Sequence, residues 1–215
     1  MALAHRQSAR RRVLLRHERV LWGQGITRVA GVDEVGVGPL AGPVVAAAVI
    51  LPHECALRGI DDSKRLTPAA RTHMDGAIRG CAIAFGIGVV EVADVDRLNI
   101  YRAALEAMRR AVCALAVPAE QLLVDARRIP EVDIPQTALI KGDARSYSIA
   151  AASIVAKVAR DAMMDLLDRE YPEYGFARHR GYATAEHLAV LARLGPCPAH
   201  RRSFLPVVQG RLPGM

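Results

Sequence analysis

The chain has 215 residues, 52% of them hydrophobic, which is enough to bury a core in one domain with a small appendage. No apolar run reaches the roughly 18 residues of a membrane span, and the N-terminus lacks the apolar core of a signal peptide. Four scattered cysteines without C-x-x-C spacing argue against a zinc site and favour free thiols in a reducing cytoplasm.

The net charge of +7 is concentrated at the N-terminus. Residues 1–29 contain seven arginines and one acid, Glu18, so they carry +6, and the rest of the chain is nearly neutral. Residues 1–12 are predicted to form a flexible basic arm. Such an arm is a weak sign of nucleic-acid binding, and a solvated tail explains it almost as well.

Hydrophobic periodicity predicts strands and helices that alternate along the chain. The predicted strands cover residues 29–32, 43–51, 81–90, 121–124 and 137–140, and the predicted helices cover 13–22, 68–79, 94–115, 146–169 and 184–194. Residues 171–182 are predicted to be a loop, and the chain from Gly195 onward to be irregular. Strands joined by helices indicate an α/β fold, a mixed sheet covered by helices. On the helix over 146–169, the spacing predicts a buried stripe of Ile154, Val158, Ala162 and Leu166.

Carboxylates follow three of the predicted strands. Asp33 and Glu34 follow the first, Asp125 follows the fourth, and Asp143 comes three residues after Ile140 in the fifth. Each carboxylate taken alone is explained equally well as a solvated turn residue without a functional role. Together they can converge on one cleft, because ligands in such folds commonly bind at strand ends.

Four clustered carboxylates would repel one another unless a cation lay between them. Mg²⁺ and Mn²⁺ favour oxygen ligands and remove that repulsion. A pair of such ions can activate water and stabilise the leaving oxygen in phosphodiester cleavage. The histidines at 179, 187 and 200 offer no competing centre. One of them could have a minor catalytic role, but we expect them to be solvated or to face phosphate.

The first two strands are joined by a loop that contains Gly36, Gly38 and Gly42. It is not a dinucleotide-binding loop, because the spacing is G-x-G-x-x-x-G, Pro39 interrupts it, and a strand follows instead of a helix. Glycines in this position favour a close approach of backbone N–H groups to a sugar or a phosphate.

From about Leu14 to Val207 the sequence resembles bacterial ribonuclease HII, the type 2 ribonuclease H. The motifs that carry the resemblance are GVDEVG (31–36), GPLAGPVVAAAVIL (38–51), DDSKRL (61–66), LLVDA (122–126), KGDARSYSIAAASIVAKVARD (141–161), YPEYGFARHRGYATAEH (171–187) and HRRSF (200–204). The resemblance implies a ribonuclease H-like five-stranded sheet with a small C-terminal helical part. Residues 13–170 would then be the catalytic domain, and residues 171–215 a helical and basic segment packed on it.

The resemblance also implies an activity. The enzyme would use Mg²⁺ or Mn²⁺ to cleave the RNA strand of RNA–DNA hybrids and to nick duplex DNA at embedded ribonucleotides. It would leave 5′-phosphate and 3′-hydroxyl ends. These properties imply a cytoplasmic, monomeric enzyme of ribonucleotide excision repair that has nucleic acid as its partner and no contact with membranes.

Carried over by position, the metal-binding and catalytic acids of the family fall on Asp33, Glu34, Asp125 and Asp143. The tyrosine that stacks near the ribose falls on Tyr182, which would otherwise be read as a packing residue. Lys64 matches a position that contacts phosphate. Ser153 and Lys157, one turn apart on a helix, either face the nucleic acid or cap and solvate that helix.

Two departures from the family pattern stand out. Val37 replaces the arginine of a Gly-Arg-Gly segment whose backbone reads the 2′-hydroxyl, and Gly36 and Gly38 remain. Ala126-Arg127 replaces the Gly-Asn that often follows Asp125 in the family. We therefore expect the cleavage chemistry to be retained, and the affinity for the DNA–RNA junction and the preference for single ribonucleotides to be weakened.

Two rival interpretations are weaker. The HRGYAT and HRRSF segments argue against another ribonuclease H-like nuclease, such as a Holliday-junction resolvase or an integrase-type recombinase. A non-catalytic protein that binds RNA–DNA hybrids is supported by Val37 alone, and the intact acids weigh against it.

Overall fold

The computed structural model describes residues 9–55, 57, 59–60 and 66–209. Lys64, predicted to contact phosphate, and residues 1–8 of the basic arm lie outside the described residues. Within the described part of the chain, no helix is both long and apolar enough to cross a membrane.

The strands form one mixed sheet in the order β3–β2–β1–β4–β5, which confirms the predicted architecture. They are β1 (Val29–Val35), β2 (Val44–Ile50), β3 (Ala84–Val90), β4 (Gln121–Asp125) and β5 (Gln136–Leu139). The β1–β2 and β2–β3 pairs are antiparallel, whereas β1–β4 and β4–β5 are parallel. β1 is therefore the central strand, paired on both sides.

Helices cover both faces of this sheet. In chain order they are α1 (Arg16–Gly23), α2 (Pro68–Cys81), α3 (Val92–Leu98), α4 (Ile100–Cys113), α5 (Tyr147–Glu170), α6 (Phe176–His179), α7 (Ala185–Leu194) and α8 (Leu205–Gln209). Successive residues of β2 point to opposite faces, so Ala46 packs in the core beneath α4 and Ala47 in the core beneath α5. β1 lies so close to α5 that a Cβ at Gly31 would stand 2.0 Å from the carbonyl carbon of Ser148.

Several predicted boundaries were wrong, and the largest difference has a local cause. The single helix predicted over 94–115 is two helices, because Asn99 has a φ of +67° and caps α4 by accepting a hydrogen bond from the Arg102 N–H. The loop predicted over 171–182 contains a 3₁₀ turn, Pro172–Tyr174, and the short helix α6. The chain after Gly195 contains the helix α8. Residues 9–14 are helical, so the first helix begins before the predicted start at 13, and the prediction of a flexible arm was wrong for residues 9–12.

The buried stripe predicted on α5 is correct at its start and wrong at its end. Ile154 is fully buried, but Leu166 is 60% exposed, and the buried positions of the C-terminal half are Arg160 and Met164. An arginine in that line is not expected from hydrophobic periodicity. Arg160 lies there because its guanidinium donates to the carbonyls of Ala41, Pro43 and Arg180.

A buried carboxylate anchors the start of α5. Glu18, on α1, is 2% exposed and its Oε1 accepts three hydrogen bonds, from Ser146 Oγ (2.6 Å), Ser148 N (3.0 Å) and Ser148 Oγ (2.8 Å). Ser146 is the N-cap of α5, so the negative charge stands at the positive end of a 24-residue helix dipole. This contact attaches the N-terminal helix to the helix that lines the site described below.

We expect Glu18→Ala to lower the free energy of unfolding by about 3 kcal/mol, since it leaves buried donors without an acceptor and removes the charge at the helix end. Urea unfolding measures this change. The control is Glu54→Ala, in which the removed carboxylate is exposed and the expected change is within about 0.5 kcal/mol. Equal effects of the two substitutions would show that Glu18 does not anchor α5.

Candidate metal centre and nucleic-acid interface

The predicted acids converge on one cavity. It has a volume of about 250 Å³ and is lined by Asp33, Glu34, Val35, Gly36, Val37, Gly38, Asp125, Asp143, Ser153, Lys157 and Tyr182. Every predicted site residue except Lys64, which lies outside the described residues, contributes to this lining.

Strand register explains why two of the acids meet. The parallel pairing of β1 and β4 sets Val32 beside Val124, so Asp33 and Asp125 come next at the same end of adjacent strands. The sequence placed Asp33 and Glu34 after the first strand, but β1 continues to Val35 because its antiparallel ladder with β2 extends to the Val35–Val45 pair. Asp33, Glu34 and Asp125 each present an oxygen within 4.8 Å of the other two.

Backbone N–H groups fix the orientation of three of the four carboxylates. Asp33 Oδ1 accepts from Glu34 N at 2.9 Å, and Asp125 Oδ1 accepts from Gly142 N at 2.6 Å. The second bond connects the end of β4 to the 3₁₀ turn Gly142–Ala144, which carries Asp143. Asp143 Oδ1 accepts from Ala144 N at 2.9 Å, so the fourth acid is also fixed by its own turn.

The surroundings of Asp33 favour the binding of positive charge. Burial raises the pKa of the Asp33 carboxyl well above its usual range, and the charges of Glu34, Asp125 and Asp143 raise it further; a hydrogen bond from Ser153 opposes them. A buried carboxylate surrounded by others is unfavourable unless positive charge compensates it. The donor set consists of carboxylate oxygens, which suits hard divalent cations such as Mg²⁺ or Mn²⁺.

The glycine-containing loop borders the acids on one side. Gly36 has a φ of +89°, and a Cβ there would stand 2.8 Å from the Pro43 carbonyl oxygen and 2.3 Å from Arg160 Nε. Only glycine fits this close approach. Val37 lines the cavity and also packs partly against the core beneath α4, so the apolar side chain that replaces the family arginine has a packing role.

Tyr182 stands on the other side of this loop. Its side chain is 45% exposed, and its ring lies beside Gly38, where a Cβ would stand 3.7 Å from Tyr182 Cε1. The Tyr182 N–H donates to the His179 carbonyl at 2.9 Å. An exposed aromatic ring held beside a carboxylate cluster is suited to stack on a nucleotide.

Ser153 and Lys157 face the cavity from α5. Ser153 is 7% exposed and reaches Asp33, so it is not a solvated helix residue. Lys157 Nζ donates to Asp161 Oδ1 at 2.5 Å, and burial lowers the pKa of the lysine ammonium although this partner opposes the shift. The cation therefore has a carboxylate partner at the margin of the cavity.

The histidines at 179, 187 and 200 are not solvated, contrary to the prediction. They are 7%, 0% and 1% exposed and pack around Phe176. Sequence offered no signal for this, because burial depends on contacts between α6, α7 and the chain near 200.

Hydrogen bonds determine which ring nitrogens carry protons. His200 Nδ1 accepts from Cys197 N at 3.1 Å, so its Nε2 bears the proton and donates to His187 Nε2 at 3.0 Å. His187 Nδ1 then donates to the Tyr182 carbonyl at 2.8 Å. Two neutral imidazoles thus support the backbone of Tyr182, a connection that sequence reasoning missed.

The second departure from the family pattern has a conformational consequence. Ala126 has a φ of +54°, a region that favours glycine, and it is exposed. Arg127 stacks over Tyr101, with its Cζ 4.8 Å from the ring centroid. The strand end that carries Asp125 is thus followed by a strained residue and a stacked cation.

Comparisons with known proteins agree with this architecture. The family profile described as Ribonuclease HII matches residues 30–207. The ribonuclease HII of Geobacillus kaustophilus is 56% identical over 214 residues, covering 96% of this chain and 82% of that protein. The ribonuclease HII of Geobacillus thermodenitrificans is 59% identical over 194 residues, covering 90% and 74%. The ribonuclease H2 structure from Pyrococcus horikoshii has a TM-score of 0.72 at 24% identity, covering 85% of this chain and 96% of that one.

The fold is therefore that of the type 2 ribonucleases H. The profile match and the identities above 50% establish the relationship more closely, and the chain belongs to the ribonuclease HII family. Membership supports a ribonuclease H activity, the endonucleolytic hydrolysis of RNA, with an RNA–DNA hybrid as the substrate that the family implies.

The buried histidines predict a loss of stability in acid. Burial lowers the pKa of His187, and burial together with the neighbouring imidazole of His187 lowers the pKa of His200 to about 4. An unfolded histidine has a pKa of about 6.5, so between that pH and about 4 the unfolded chain binds more protons than the folded one. The free energy of unfolding therefore falls as the pH is lowered through this window.

Replacing one of these histidines tests the linkage. We expect His200→Gln to reduce the slope of unfolding free energy against pH, between pH 6.5 and 4, by up to about 1.4 kcal/mol per pH unit. The exposed His73, replaced by Gln, serves as the control and should leave the slope unchanged. An unaltered slope in His200→Gln would contradict the neutral state of the buried pair.

Proposed function

We propose that this chain is a divalent-metal-dependent endoribonuclease that cleaves the RNA strand of RNA–DNA hybrids and nicks duplex DNA at embedded ribonucleotides. The products carry 5′-phosphate and 3′-hydroxyl ends. In this proposal Asp33, Glu34, Asp125 and Asp143 hold two Mg²⁺ or Mn²⁺ ions. The observation that carries the proposal is the convergence of these four carboxylates on one cavity that also contains the glycine loop and Tyr182.

The chemistry divides between the ions and the protein. Divalent ions bound by carboxylates supply activation of water and stabilisation of the leaving oxygen. Backbone hydrogen bonds orient three of the four acids, Asp33, Asp125 and Asp143, and the burial of Asp33 excludes competing solvent. The raised pKa of Asp33 supports the proposal because it identifies a cluster that gains stability when it binds positive charge.

Substrate recognition falls to the groups around the acids. Tyr182 stacks beside the ribose, and the backbone of Gly36, Val37 and Gly38 reads the 2′-hydroxyl. Lys157 and the hydroxyl of Ser153 face the nucleic acid from α5, and Lys64 contacts phosphate. With no guanidinium at position 37, preference for a single ribonucleotide depends on the backbone.

The proposal extends to the whole chain. Residues 13–170 act as the catalytic domain, residues 171–215 as a segment packed on it, and the arm of residues 1–12 adds non-specific affinity for nucleic acid. The enzyme works as a cytoplasmic monomer in ribonucleotide excision repair. The absence of C-x-x-C cysteine spacing and the basic N-terminus support a nucleic-acid enzyme of a reducing compartment.

Incubation of the protein with duplex DNA that contains one ribonucleotide, and separately with an RNA–DNA hybrid, tests the activity in Mg²⁺ and in Mn²⁺. We expect strand cleavage only with a divalent ion, and products that a DNA or RNA ligase can rejoin because they carry 5′-phosphates. Asp125→Asn should lose at least about a hundredfold in rate while hybrid binding persists, because the amide oxygen can still accept from Gly142 N whereas the ligand charge is gone.

The matched control is Asp133→Asn, which makes the same change of charge at an exposed position outside the cavity. Its rate should equal that of the parent protein. A near-normal cleavage rate in Asp125→Asn would contradict the proposed catalytic role of the acids. A parent protein that binds hybrids without cleaving them would favour the non-catalytic alternative.

A further inference from the structure

Arg201 is a fully buried arginine beneath the glycine loop. Its side chain is 0% exposed, and its guanidinium donates to five backbone carbonyls of residues 36–43. The contacts are Nη2 to Gly36 O (2.6 Å), Nη1 to Val37 O (3.3 Å), Nη1 to Pro39 O (2.8 Å), Nε and Nη2 to Gly42 O (2.9 and 2.8 Å) and Nη2 to Pro43 O (3.2 Å). An arginine has five N–H groups, so the loop takes up its whole donor capacity.

This arrangement differs from an ordinary buried ion pair. Among the described residues, no carboxylate lies within ion-pair distance of Arg201. Burial lowers the pKa of Arg201 to about 9, which still leaves it charged at neutral pH. An apolar side chain of similar volume would fill the space without the cost of burying a charge. The guanidinium therefore has a role that packing alone does not supply.

Peptide geometry indicates that role. Because a trans peptide is planar, a C=O group points opposite to the N–H group of the next residue. The carbonyls of Gly36 and Val37 point at Arg201, so the N–H groups of Val37 and Gly38 point away from it. No acceptor in the described part of the chain receives either N–H, and both residues line the cavity that holds the carboxylates and Tyr182.

The C-terminal segment fixes Arg201 in place. Its own N–H donates to the Leu40 carbonyl at 2.8 Å, and Gly42 N donates to the Ala199 carbonyl at 2.9 Å, so the segment pairs with the loop it supports. The guanidinium also stacks on Phe204, with 5.2 Å between Cζ and the ring centroid. Backbone pairing and stacking leave the guanidinium one orientation.

We propose that Arg201 is a positioning residue, which aims the N–H groups of Val37 and Gly38 at the ribonucleotide and places a buried positive charge behind the loop. This inference rests on the proposed function and deepens it. Discrimination by the loop then depends on a residue that never touches the substrate. With valine at position 37, the charge beneath the loop takes over part of the electrostatic attraction for phosphate.

Two substitutions of Arg201 separate its effect on the orientation of the backbone N–H groups from the effect of its positive charge. Arg201→Lys keeps the charge but has three donors on a flexible stem in place of a planar fork, whereas Arg201→Met removes both. The readout is the ratio of dissociation constants for two fluorescent duplexes that are identical except for one ribonucleotide. Anisotropy is measured in EDTA with the full chain, so that the metal-dependent cleavage proposed above does not run.

We expect the parent protein to prefer the ribonucleotide duplex, and Arg201→Lys to lose at least about fivefold of that preference with little change in affinity for the all-DNA duplex. Arg201→Met should lose the preference and also bind the all-DNA duplex more weakly at low salt. The control for stability alone is Ile78→Ala, a cavity in the core beneath α5, which should lower the melting temperature without changing the ratio.

Three results would overturn the inference. They are a parent ratio of one, a ratio that Arg201→Lys leaves unchanged, and a ratio that Ile78→Ala reduces equally. The binding ratio does not require turnover, so a parent protein that discriminates but does not cleave would refute the proposed function and leave the role of Arg201 standing. If Arg201→Met does not fold, the lysine variant alone decides.

Discussion

The structure depends on how four negative charges are brought together at the end of a buried sheet. Parallel pairing of β1 with β4 sets Asp33 beside Asp125, and the turn after β5 adds Asp143. Burial and mutual repulsion together raise the pKa of Asp33, so the cluster is unfavourable by itself. Hydrogen bonds from Gly142, Ala144 and Ser153 soften that repulsion without cancelling the charge. In the proposed function, divalent cations compensate this charge.

Three sets of buried polar side chains stabilise the elements that surround this site. Glu18 anchors the N-terminal end of α5, which carries Ser153 and Lys157 into the cavity. The neutral pair His187–His200 supports the backbone of Tyr182. Arg160 and Arg201 satisfy carbonyls of the glycine loop from below. Each support is a buried polar group held by two or more hydrogen bonds, and buried networks of this kind give rigidity.

Sequence patterns predicted the part of the fold that periodicity and strand ends determine. Apolar runs located all five strands, and the acids at their ends pointed to one cleft. Sequence patterns missed two local features. The helix break at Asn99 depends on a single positive φ, and the burial of Arg160 depends on carbonyl groups that lie far away along the chain. The histidines were misread for the same reason, since their burial is created by contacts between separate elements. The side-chain role of Val37 likewise became visible only through its packing against the core.

In the proposed function, the carboxylate cluster is electrostatically unfavourable until divalent ions bind. The most direct test compares melting temperatures of the parent protein and Asp33→Asn in EDTA and in Mg²⁺ or Mn²⁺. We expect Asp33→Asn to melt higher than the parent in EDTA by roughly 2–4 °C, as for about 1 kcal/mol in a domain of this size, because one buried charge is gone. The parent should gain stability on adding the ion and the variant should gain much less. A variant that melts lower in EDTA, or a parent that no divalent ion stabilises, would contradict the account.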